Sequence, residues 1–340
     1  MRKGSSSKNP LSAALQSMAA VAATGLLFLS GAAANDSTAS LDAGEIRLLY
    51  NSKIEMKEED LYLSRKQVRV RYLFENKSGQ DIKTLVAFPL PAIATGEEGN
   101  YAVMSPDPIN FIGFEVSVDG QPIKPSVETR ATSNGLDITA LLARHGLPLT
   151  TITASPEAND RLNERLRNLP EATLQELERY GAVDRLSSDG QGRPYVTPRW
   201  TAHITFYWEQ TFPAGRKIEV THRYRPVPRL FFTGMDAIRS AEMRKAYCID
   251  DDFLNGAAAL ARKGTLSGTE LRYIVTTAGN WSGPIGRFTL TIDKEEPKFI
   301  VSTCFDGIKR IGPTTFSATR ENYRPTRDLG MLVLKSIAGP

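Results

Sequence analysis

Two runs of alternating residues, joined by a short turn, constrain the fold of this chain more than any other feature. They lie within residues 199–226, on either side of the turn Phe212-Pro213-Ala214-Gly215. Strict period-two alternation is typical of β-strands with one buried face. The positions that share the predicted buried face are Ile204, Phe206, Trp208, Ile218, Val220, His222 and Tyr224. Because the two runs flank a turn, we predict a β-hairpin, which Pro226 ends since proline has no N–H for the ladder.

The same alternation recurs before this stretch. Residues 68–74 and 82–88 predict a second hairpin around Asn76-Lys77-Ser78-Gly79. Asp119-Gly120 is the strongest short hairpin signal in the chain, since both residue types accept the positive φ angles of a tight turn. These patterns place a sheet in the first third of the chain.

The middle of the chain changes from strand to helix periodicity. Leucines recur at helical spacing between residues 135 and 193, which predicts a helical insertion with a packed leucine stripe. Beyond residue 228 the pattern predicts about four strands and one or two helices. The continuous apolar run Leu329–Leu334 is expected to be a strand buried on both faces.

We therefore predict a mainly β protein, with an Ig-like β-sandwich, a helical insertion and a second mostly-β region. The expected divisions are a signal peptide at 1–34, a split sandwich at 35–130 plus 196–227, an insertion at 131–195 and a C-terminal β-rich domain at 228–340. On this interpretation, strands from both sides of the insertion share one core.

The first 34 residues have the parts of a secretory signal peptide. Three basic residues precede an apolar run, and Ala32-Ala33-Ala34 provides a small-residue cleavage site, so we expect cleavage between Ala34 and Asn35. The strongly apolar run is shorter than the roughly 20 residues that span a bilayer, which disfavours an uncleaved anchor. We expect an exported protein, periplasmic or secreted.

Cleavage would change the charge balance of the chain. The first 34 residues carry three of the 42 basic residues and none of the 38 acidic ones, so the remainder has a net charge of +1. Nucleic-acid binding needs a clustered basic face, so no nucleic acid partner is expected. No later segment is apolar and long enough to predict stable membrane insertion.

Cys248 and Cys304 are the only cysteines. An even number of cysteines in an oxidising compartment favours one disulfide. Two buried free thiols are the alternative interpretation.

His222 is the residue for which a core role and a catalytic role compete most directly. Its strand face is shared with Ile218 and Val220, which favours a buried core histidine. The alternative is a catalytic base that works with Asp250 or Asp252. No pair of histidines has the spacing of a zinc site, and Asp250–Asp252 precedes a predicted helix, so capping is preferred to calcium binding.

Motifs for nucleophilic catalysis and for nucleotide cofactors are absent from the sequence, so no cofactor is expected. Trp200, Trp208 and Trp281 could form either core or a sugar-binding surface. We expect a non-enzymatic binding, interaction or structural module of the cell envelope, with an envelope protein or polysaccharide as its partner. The alternative is a hydrolase that acts on an envelope substrate through His222 and a nearby carboxylate.

Short motifs spread over the chain resemble the bacterial domain-of-unknown-function 4424 family. They include Asn35-Asp36-Ser37-Thr38-Ala39, Val68-Arg69-Val70-Arg71-Tyr72, Ala87-Phe88-Pro89-Leu90-Pro91, Phe212-Pro213-Ala214-Gly215, His222-Arg223-Tyr224-Arg225-Pro226, Tyr247-Cys248 and Asn280-Trp281-Ser282-Gly283-Pro284-Ile285. The resemblance implies an exported, uncharacterised bacterial protein and supplies no catalytic residues. The order of these segments also resembles the vault/inter-α-trypsin-type β-sandwich, which implies a split, VIT-like domain.

Overall fold

Two large β-sheets that face each other form the centre of the protein, which confirms the prediction of a mainly β fold. The structure is a computed structural model that describes residues 35–42, 45–95, 107, 109–150, 156–188 and 194–337. The predicted signal peptide lies outside the described residues. No helix in the part of the chain that the structure describes is long and apolar enough to cross a bilayer.

The first large sheet, sheet A, has seven strands. They are β1 (Ser37–Asp42), β2 (Glu45–Leu49), β5 (Ile82–Pro89), β6 (Ile93–Ala94), β9 (Ser126–Ser133), β10 (Leu136–Asp137) and β13 (Thr201–Phe212). Their order is β10-β9-β13-β5-β1-β2, with β6 paired to the start of β13. All of these pairings are antiparallel.

The second large sheet, sheet B, has eight strands. They are β3 (Ile54–Ser64), β4 (Val68–Asn76), β7 (Glu115–Val118), β8 (Gln121–Ile123), β14 (Lys217–Tyr224), β17 (Ile285–Asp293), β19 (Lys309–Arg310) and β20 (Thr315–Tyr323). Their order is β19-β20-β17-β3-β4-β14-β7-β8. The pairing of β17 with β3 is parallel, whereas the others are antiparallel.

A smaller sheet C carries three helices on one face. Its strands are β15 (Arg229–Thr233), β16 (Thr265–Tyr273), β18 (Ile300–Thr303) and β21 (Leu329–Ile337), in the order β15-β16-β21-β18. The helices are α4 (Met235–Arg239), α5 (Ala241–Tyr247) and α6 (Asp251–Ala261). Met331 and Val333 of β21 join the sandwich core, while Leu332 and Leu334 pack with the helices. The prediction of a strand buried on both faces is therefore confirmed.

The insertion between β10 and β13 has its own small core. It contains α1 (Thr139–Arg144), α2 (Pro156–Arg167), α3 (Glu171–Arg179) and the antiparallel pair β11 (Val183–Ser188) and β12 (Pro194–Pro198). The predicted leucine stripe packs in this core, which also holds Trp200. The β11–β12 pair was not predicted, because its sequence shows little alternation.

The two hairpins predicted around Asn76 and Phe212 are wrong. β13 lies in sheet A and β14 in sheet B, and β5 and β4 are divided in the same way. Each turn is therefore a corner that carries the chain from one sheet to the facing one. Period-two alternation indicates that one face of a strand is buried. The alternation is identical whether two consecutive strands pair in one sheet or lie in two facing sheets, so it does not predict which strands pair.

Other sequence predictions for this region hold. β4 and β14 pair directly, from Val68 opposite Tyr224 to Glu75 opposite Lys217, although the insertion separates them in the chain. The hairpin at Asp119-Gly120 joins β7 to β8, with φ angles of 48° and 76° at the two turn residues. Both angles are positive, as this tight turn requires.

Sheet B crosses the domain boundary that the sequence suggests at residue 228. β17 and β20 come from beyond this position, yet β17 pairs with β3 over seven residue pairs, from Arg287 opposite Glu58 to Asp293 opposite Ser64. Phe288, Leu290 and Ile292 of β17 belong to the sandwich core. The residues before and after 228 therefore share a sheet and a core.

Candidate functional site

His222 lies at the centre of the sandwich core, with its side chain fully buried. The alternation of β14 turns it inward together with Ile218, Val220 and Tyr224, as predicted. Aromatic rings surround the imidazole at centroid distances of 4.9–5.5 Å, and they belong to Tyr72, Phe88, Phe114 and Trp208. The histidine is therefore sealed from solvent by both sheets.

The carboxyl group nearest to His222 is that of Asp36. His222 Nε2 lies 3.4 Å from Asp36 Oδ1, and both side chains have no exposed surface. The separation is within ion-pair range, but neither imidazole nitrogen makes a hydrogen bond to a described residue. The two groups are close without the alignment of a hydrogen-bonded acid–base pair.

Asp36 is held in the core through the backbone of the segment that precedes β1. The indole of Trp281 donates to the Asp36 carbonyl oxygen at 2.6 Å, and the hydroxyl of Thr277 donates to the Asn35 carbonyl oxygen at 3.1 Å. Asn280 donates to the Ser37 hydroxyl at 2.9 Å. Asn35 and Asp36 are therefore fixed between the sheets by the 3₁₀ helix Thr276–Asn280 and the residue after it.

Glu59 is a second buried carboxyl beside this segment. Its side chain accepts hydrogen bonds from Asn35 Nδ2 at 3.1 Å and from the Tyr273 hydroxyl at 3.2 Å. The Tyr273 hydroxyl in turn lies 2.8 Å from that of Tyr72. We name these six residues the interlayer cluster: Asn35, Asp36, Glu59, Tyr72, His222 and Tyr273.

A β-bulge explains why Glu59 points into the core. The β3–β4 register shifts between Met56 and Glu58, so the buried positions of β3 change from Ile54 and Met56 to odd-numbered residues. An extra residue in one strand reverses the faces of all residues beyond it. Gly286 of β17 lies against the bulge, where an added Cβ would stand 2.5 Å from the Lys57 carbonyl oxygen.

Burial favours the uncharged form of each titratable group in the interlayer cluster. It raises the pKa of Glu59 to about 8, while Asn35 and Tyr273 oppose the shift through their hydrogen bonds. Burial, assisted by the nearby Glu59, raises the pKa of Asp36 well above its ordinary value. Burial also lowers the pKa of His222 to about 3. At neutral pH the cluster therefore favours two protonated carboxyls and a neutral imidazole.

The structure does not bring Asp250 or Asp252 to His222. Asp250 is the N-cap of α6, where its carboxylate accepts from the Phe253 N–H at 2.8 Å, and Asp252 lies exposed in the first turn. The capping prediction is confirmed. Within the described residues, no group of three or more acidic, histidine or cysteine side chains is placed to hold a metal ion.

Cys248 and Cys304 form the predicted disulfide, with 5.0 Å between their Cα atoms. Cys248 ends α5 and Cys304 follows β18, so the bond ties the helices to sheet C. The three tryptophans are all buried: Trp200 in the insertion core, and Trp208 and Trp281 in the sandwich core. They do not form a surface for sugar binding.

A cleft of about 440 Å³ opens where the sandwich meets sheet C. Its apolar wall includes Leu90, Ile93, Ile112 and Val227, from the segments that follow β5 and β14 and from the loop before β7. Small-molecule sites commonly occupy about 300–1,000 Å³ and are mainly apolar with a few polar groups. The cleft has the size and lining of such a site.

Charged residues of sheet C form one part of the cleft wall. Arg229 and Glu270 are opposite each other in β15 and β16, with Nη1 and Oε2 3.2 Å apart. The Glu270 side chain is only 8% exposed, whereas that of Arg229 is 43% exposed. Arg272, which is also exposed, lies two residues along the same face of β16. The wall therefore carries two guanidinium groups and one buried carboxyl.

A second hollow, of about 760 Å³, lies on the outer face of sheet B. His222 contributes only backbone there, because its side chain points to the opposite face. Arg71 crosses this face in ion pairs with Glu58, Asp60 and Glu219 at 2.6–2.9 Å. Its charged groups largely pair with one another, so the cleft is the better candidate for a ligand site.

The sequence predicts the buried position of His222 but not the two buried carboxyl groups near it. Glu59 lies in a charged run that resembles a solvated strand, and only the bulge turns it inward. Asp36 gives no chemical signal, because it stands out only as part of the motif Asn35-Asp36-Ser37-Thr38-Ala39 that follows the predicted cleavage site. The cleft combines residues from distant segments, so local pattern could not reveal it.

Comparison with known proteins gives one family for this sequence. The family model described as "Domain of unknown function (DUF4424)" matches residues 34–332. No curated protein matches the chain. One similar solved structure, a Legionella pneumophila protein described as a candidate nutrient-binding protein, is 13% identical with a TM-score of 0.43. That alignment covers 90% of this chain and 71% of the other. The matched family region includes every residue of the interlayer cluster and of the cleft.

Proposed function

The chain belongs to the DUF4424 family, and from the cleft between sandwich and sheet C we propose that it is an exported binding module for small amphipathic anions. The observation that carries the proposal is the combination of an apolar wall with Arg229 and Arg272 in one cleft of about 440 Å³. An apolar body would lie against the wall, and an anionic group would face the guanidinium groups.

The apolar wall supplies a site that is formed before a ligand arrives. Leu90, Ile93 and Ile112 are each no more than 3% exposed, so their positions are fixed by packing in the sandwich core. Their remaining contact surface faces the cleft. A preformed wall lowers the ordering cost of binding.

The charges of the lining favour an anion over a cation. Glu270 already pairs with Arg229, and the hydroxyl of Tyr247 also contacts Glu270 and Arg272. With both arginines counted, the lining has a net charge of +1. A carboxylate can accept two parallel N–H bonds from a guanidinium, whereas an ammonium group would meet two like charges.

Binding has more support than hydrolysis. A general base must reach the proton that it removes, directly or through one water molecule. The His222 imidazole is enclosed by aromatic rings, and its carboxyl neighbour Asp36 is buried as well. A hydrolase that used this pair would have to separate the two sheets.

Export is supported by the residue pattern before Asn35 and by the disulfide. Disulfides persist mainly in oxidising compartments such as the periplasm or the cell exterior. The Cys248–Cys304 bond therefore agrees with the predicted signal peptide. An envelope location would give the module access to envelope proteins, polysaccharides and small amphiphiles.

Titration calorimetry with matched eight-carbon probes tests the proposed ligand class. We expect octanoate to bind the protein that begins at Asn35, and octylamine to bind at least tenfold more weakly. Arg272→Ala should weaken octanoate binding about tenfold, because it removes one charged partner. Ala92→Trp should block binding of octanoate by filling the cleft, since Ala92 is an exposed residue of its lining.

The control variant is Arg223→Ala. Arg223 is an exposed arginine of β14 that pairs with Glu115 outside the cleft, so its removal should leave octanoate affinity unchanged. Absence of octanoate binding to the parent protein would contradict the proposal. So would equal weakening by Arg223→Ala and Arg272→Ala, since it would indicate a general charge effect.

A further inference from the structure

The interlayer cluster contains two buried carboxyls without a basic partner. Asp36 and Glu59 are both 0% exposed. Within the described residues, neither carboxyl forms an ion pair with a lysine or arginine, and Asp36 lies 3.4 Å from the neutral imidazole of His222. Buried carboxyls that lack a counter-charge are costly once they ionise.

The predicted cleavage site lies directly beside these carboxyls. Cleavage between Ala34 and Asn35 would make Asn35 the first residue of the chain. Asn35 Nδ2 lies 3.1 Å from Glu59 Oε2, and the backbone nitrogen of the same residue is four covalent bonds from Nδ2. Covalent geometry keeps these two nitrogens within about 5 Å of each other.

We propose that the α-ammonium group released at Asn35 by signal-peptide cleavage is the counter-charge of Asp36 and Glu59, so that processing completes the sandwich core. In the cleavage step, an exported-protein peptidase adds water across the Ala34–Asn35 peptide bond. The C–N bond breaks, Ala34 receives the hydroxyl and Asn35 receives the proton. At neutral pH the products are a carboxylate and an ammonium group.

Hydrogen bonds to the backbone hold Asn35 and Asp36 in place between the sheets. The Asn35 carbonyl accepts from Thr277, the Asp36 carbonyl accepts from Trp281, and the Asp36 N–H donates to Asn35 Oδ1 at 2.8 Å. These bonds fix the first two residues of a processed chain independently of any charge. The α-ammonium would then have three N–H groups to direct at nearby carboxyl oxygens.

Several titratable groups face Glu59 and would respond to the new charge. They are Asp36, Tyr72, Tyr273 and Tyr323, with His222 beside Asp36; Asp60, the next residue of β3, lies on the outer face of sheet B and pairs with Arg71. A positive charge among them favours ionised carboxyls, whereas an uncleaved chain must keep them protonated or bear uncompensated charge. The processed protein should therefore be more stable at pH 8 than a chain with residues before Asn35.

Equilibrium unfolding at pH 8 tests this inference with two chains. One begins at Asn35, after removal of a fusion partner whose protease leaves no extra residue, and the other carries an uncharged Gly-Ser-Gly-Ser extension with an acetylated end. We expect the extension to raise the unfolding equilibrium constant at least tenfold. In Glu59→Gln, the same extension should raise it less than threefold, because one buried charge is gone.

Protection of the amino group provides a measurement that needs no variant. In the folded chain that begins at Asn35, reductive methylation of the α-amino group should be at least 100-fold slower than in the unfolded chain. Equal stability of the two chains, an extension effect that persists unchanged in Glu59→Gln, or rapid α-amino labelling in the folded protein would each overturn the inference.

The inference rests on the export part of the proposed function, and its failure can be separated from failure of ligand binding. Mass spectrometry of the exported protein gives its first residue. A first residue other than Asn35 would overturn the inference and leave octanoate binding intact. Loss of octanoate binding with a protected Asn35 amino group would contradict the proposed ligand class and leave the inference intact.

Discussion

At the scale of single residues, the buried face of each strand decides the chemistry of the interlayer cluster. His222 points inward because β14 alternates regularly, so its orientation follows from the sequence. Glu59 points inward only because a bulge precedes it in β3. The cluster therefore combines one residue that pattern reading can place with one that it cannot.

The His222 side chain predicts a specific acid sensitivity. Its pKa is lowered to about 3 in the folded protein by burial, against about 6.5 in an unfolded chain. Between these values the unfolded state binds more protons, so the free energy of unfolding falls as pH falls from 6.5 towards 3. His222→Leu should remove this pH-dependent contribution to the free energy of unfolding, which amounts to about 3 to 5 kcal/mol over the full range.

Urea unfolding of the parent protein and of His222→Leu between pH 4 and pH 7 measures this component. The raised pKa values of Asp36 and Glu59 act in the opposite direction, so the difference between the two profiles isolates the histidine. Ile218→Val is the control, since it removes buried volume from the same strand face without a titratable group. It should lower stability by about 1 kcal/mol at every pH, and parallel profiles for the parent and His222→Leu would refute the assignment.

At the scale of elements, the corners between the two sheets separate what sequence can predict from what it cannot. The strand positions of β4, β5, β13 and β14 agree with the alternation, and so do the buried faces of β4, β13 and β14; in β5, Val86, Ala87 and Phe88 are buried in succession. Their pairing does not, because a turn between two alternating runs looks the same in a hairpin and in a sheet-to-sheet corner. Residue chemistry does specify a hairpin at Asp119-Gly120, and again at Asn134-Gly135 between β9 and β10, where the φ angles are 49° and 78°.

Asn76 holds two of these corners together. Its Nδ2 donates to the carbonyl oxygens of Gln80 and Phe212, each at 2.8 Å, and the residue is fully buried. Gly215 and Arg216 also exchange backbone hydrogen bonds with it. One side chain therefore links the turn after β4 to the turn after β13.

Replacement of Asn76 by alanine should destabilise the protein by about 2 to 4 kcal/mol, because buried carbonyl groups lose their donor. Chemical denaturation gives the value. Asn51→Ala is the matched control, since Asn51 accepts one exposed backbone N–H from Lys53 and its loss should cost no more than about 1 kcal/mol. Similar losses for the two variants would show that Asn76 does not connect the corners.

At the scale of the whole molecule, sheet pairing between distant segments creates the sites that local sequence cannot reveal. The parallel pairing of β17 with β3 joins segments more than 200 residues apart in one sheet, across the boundary suggested at residue 228. Parallel pairing leaves no turn signal in the sequence. The cleft has the same origin, because its apolar wall comes from the sandwich and its arginines come from sheet C.

The crystal structure of the protein in complex with 8-bromooctanoate tests the central claim, that this cleft binds small amphipathic anions. The account predicts one bromine anomalous peak between Ile93 and Ile112, with carboxylate density beside Arg229 and Arg272. A bromine peak at another site, or a vacant cleft at a saturating concentration of the probe, would contradict it.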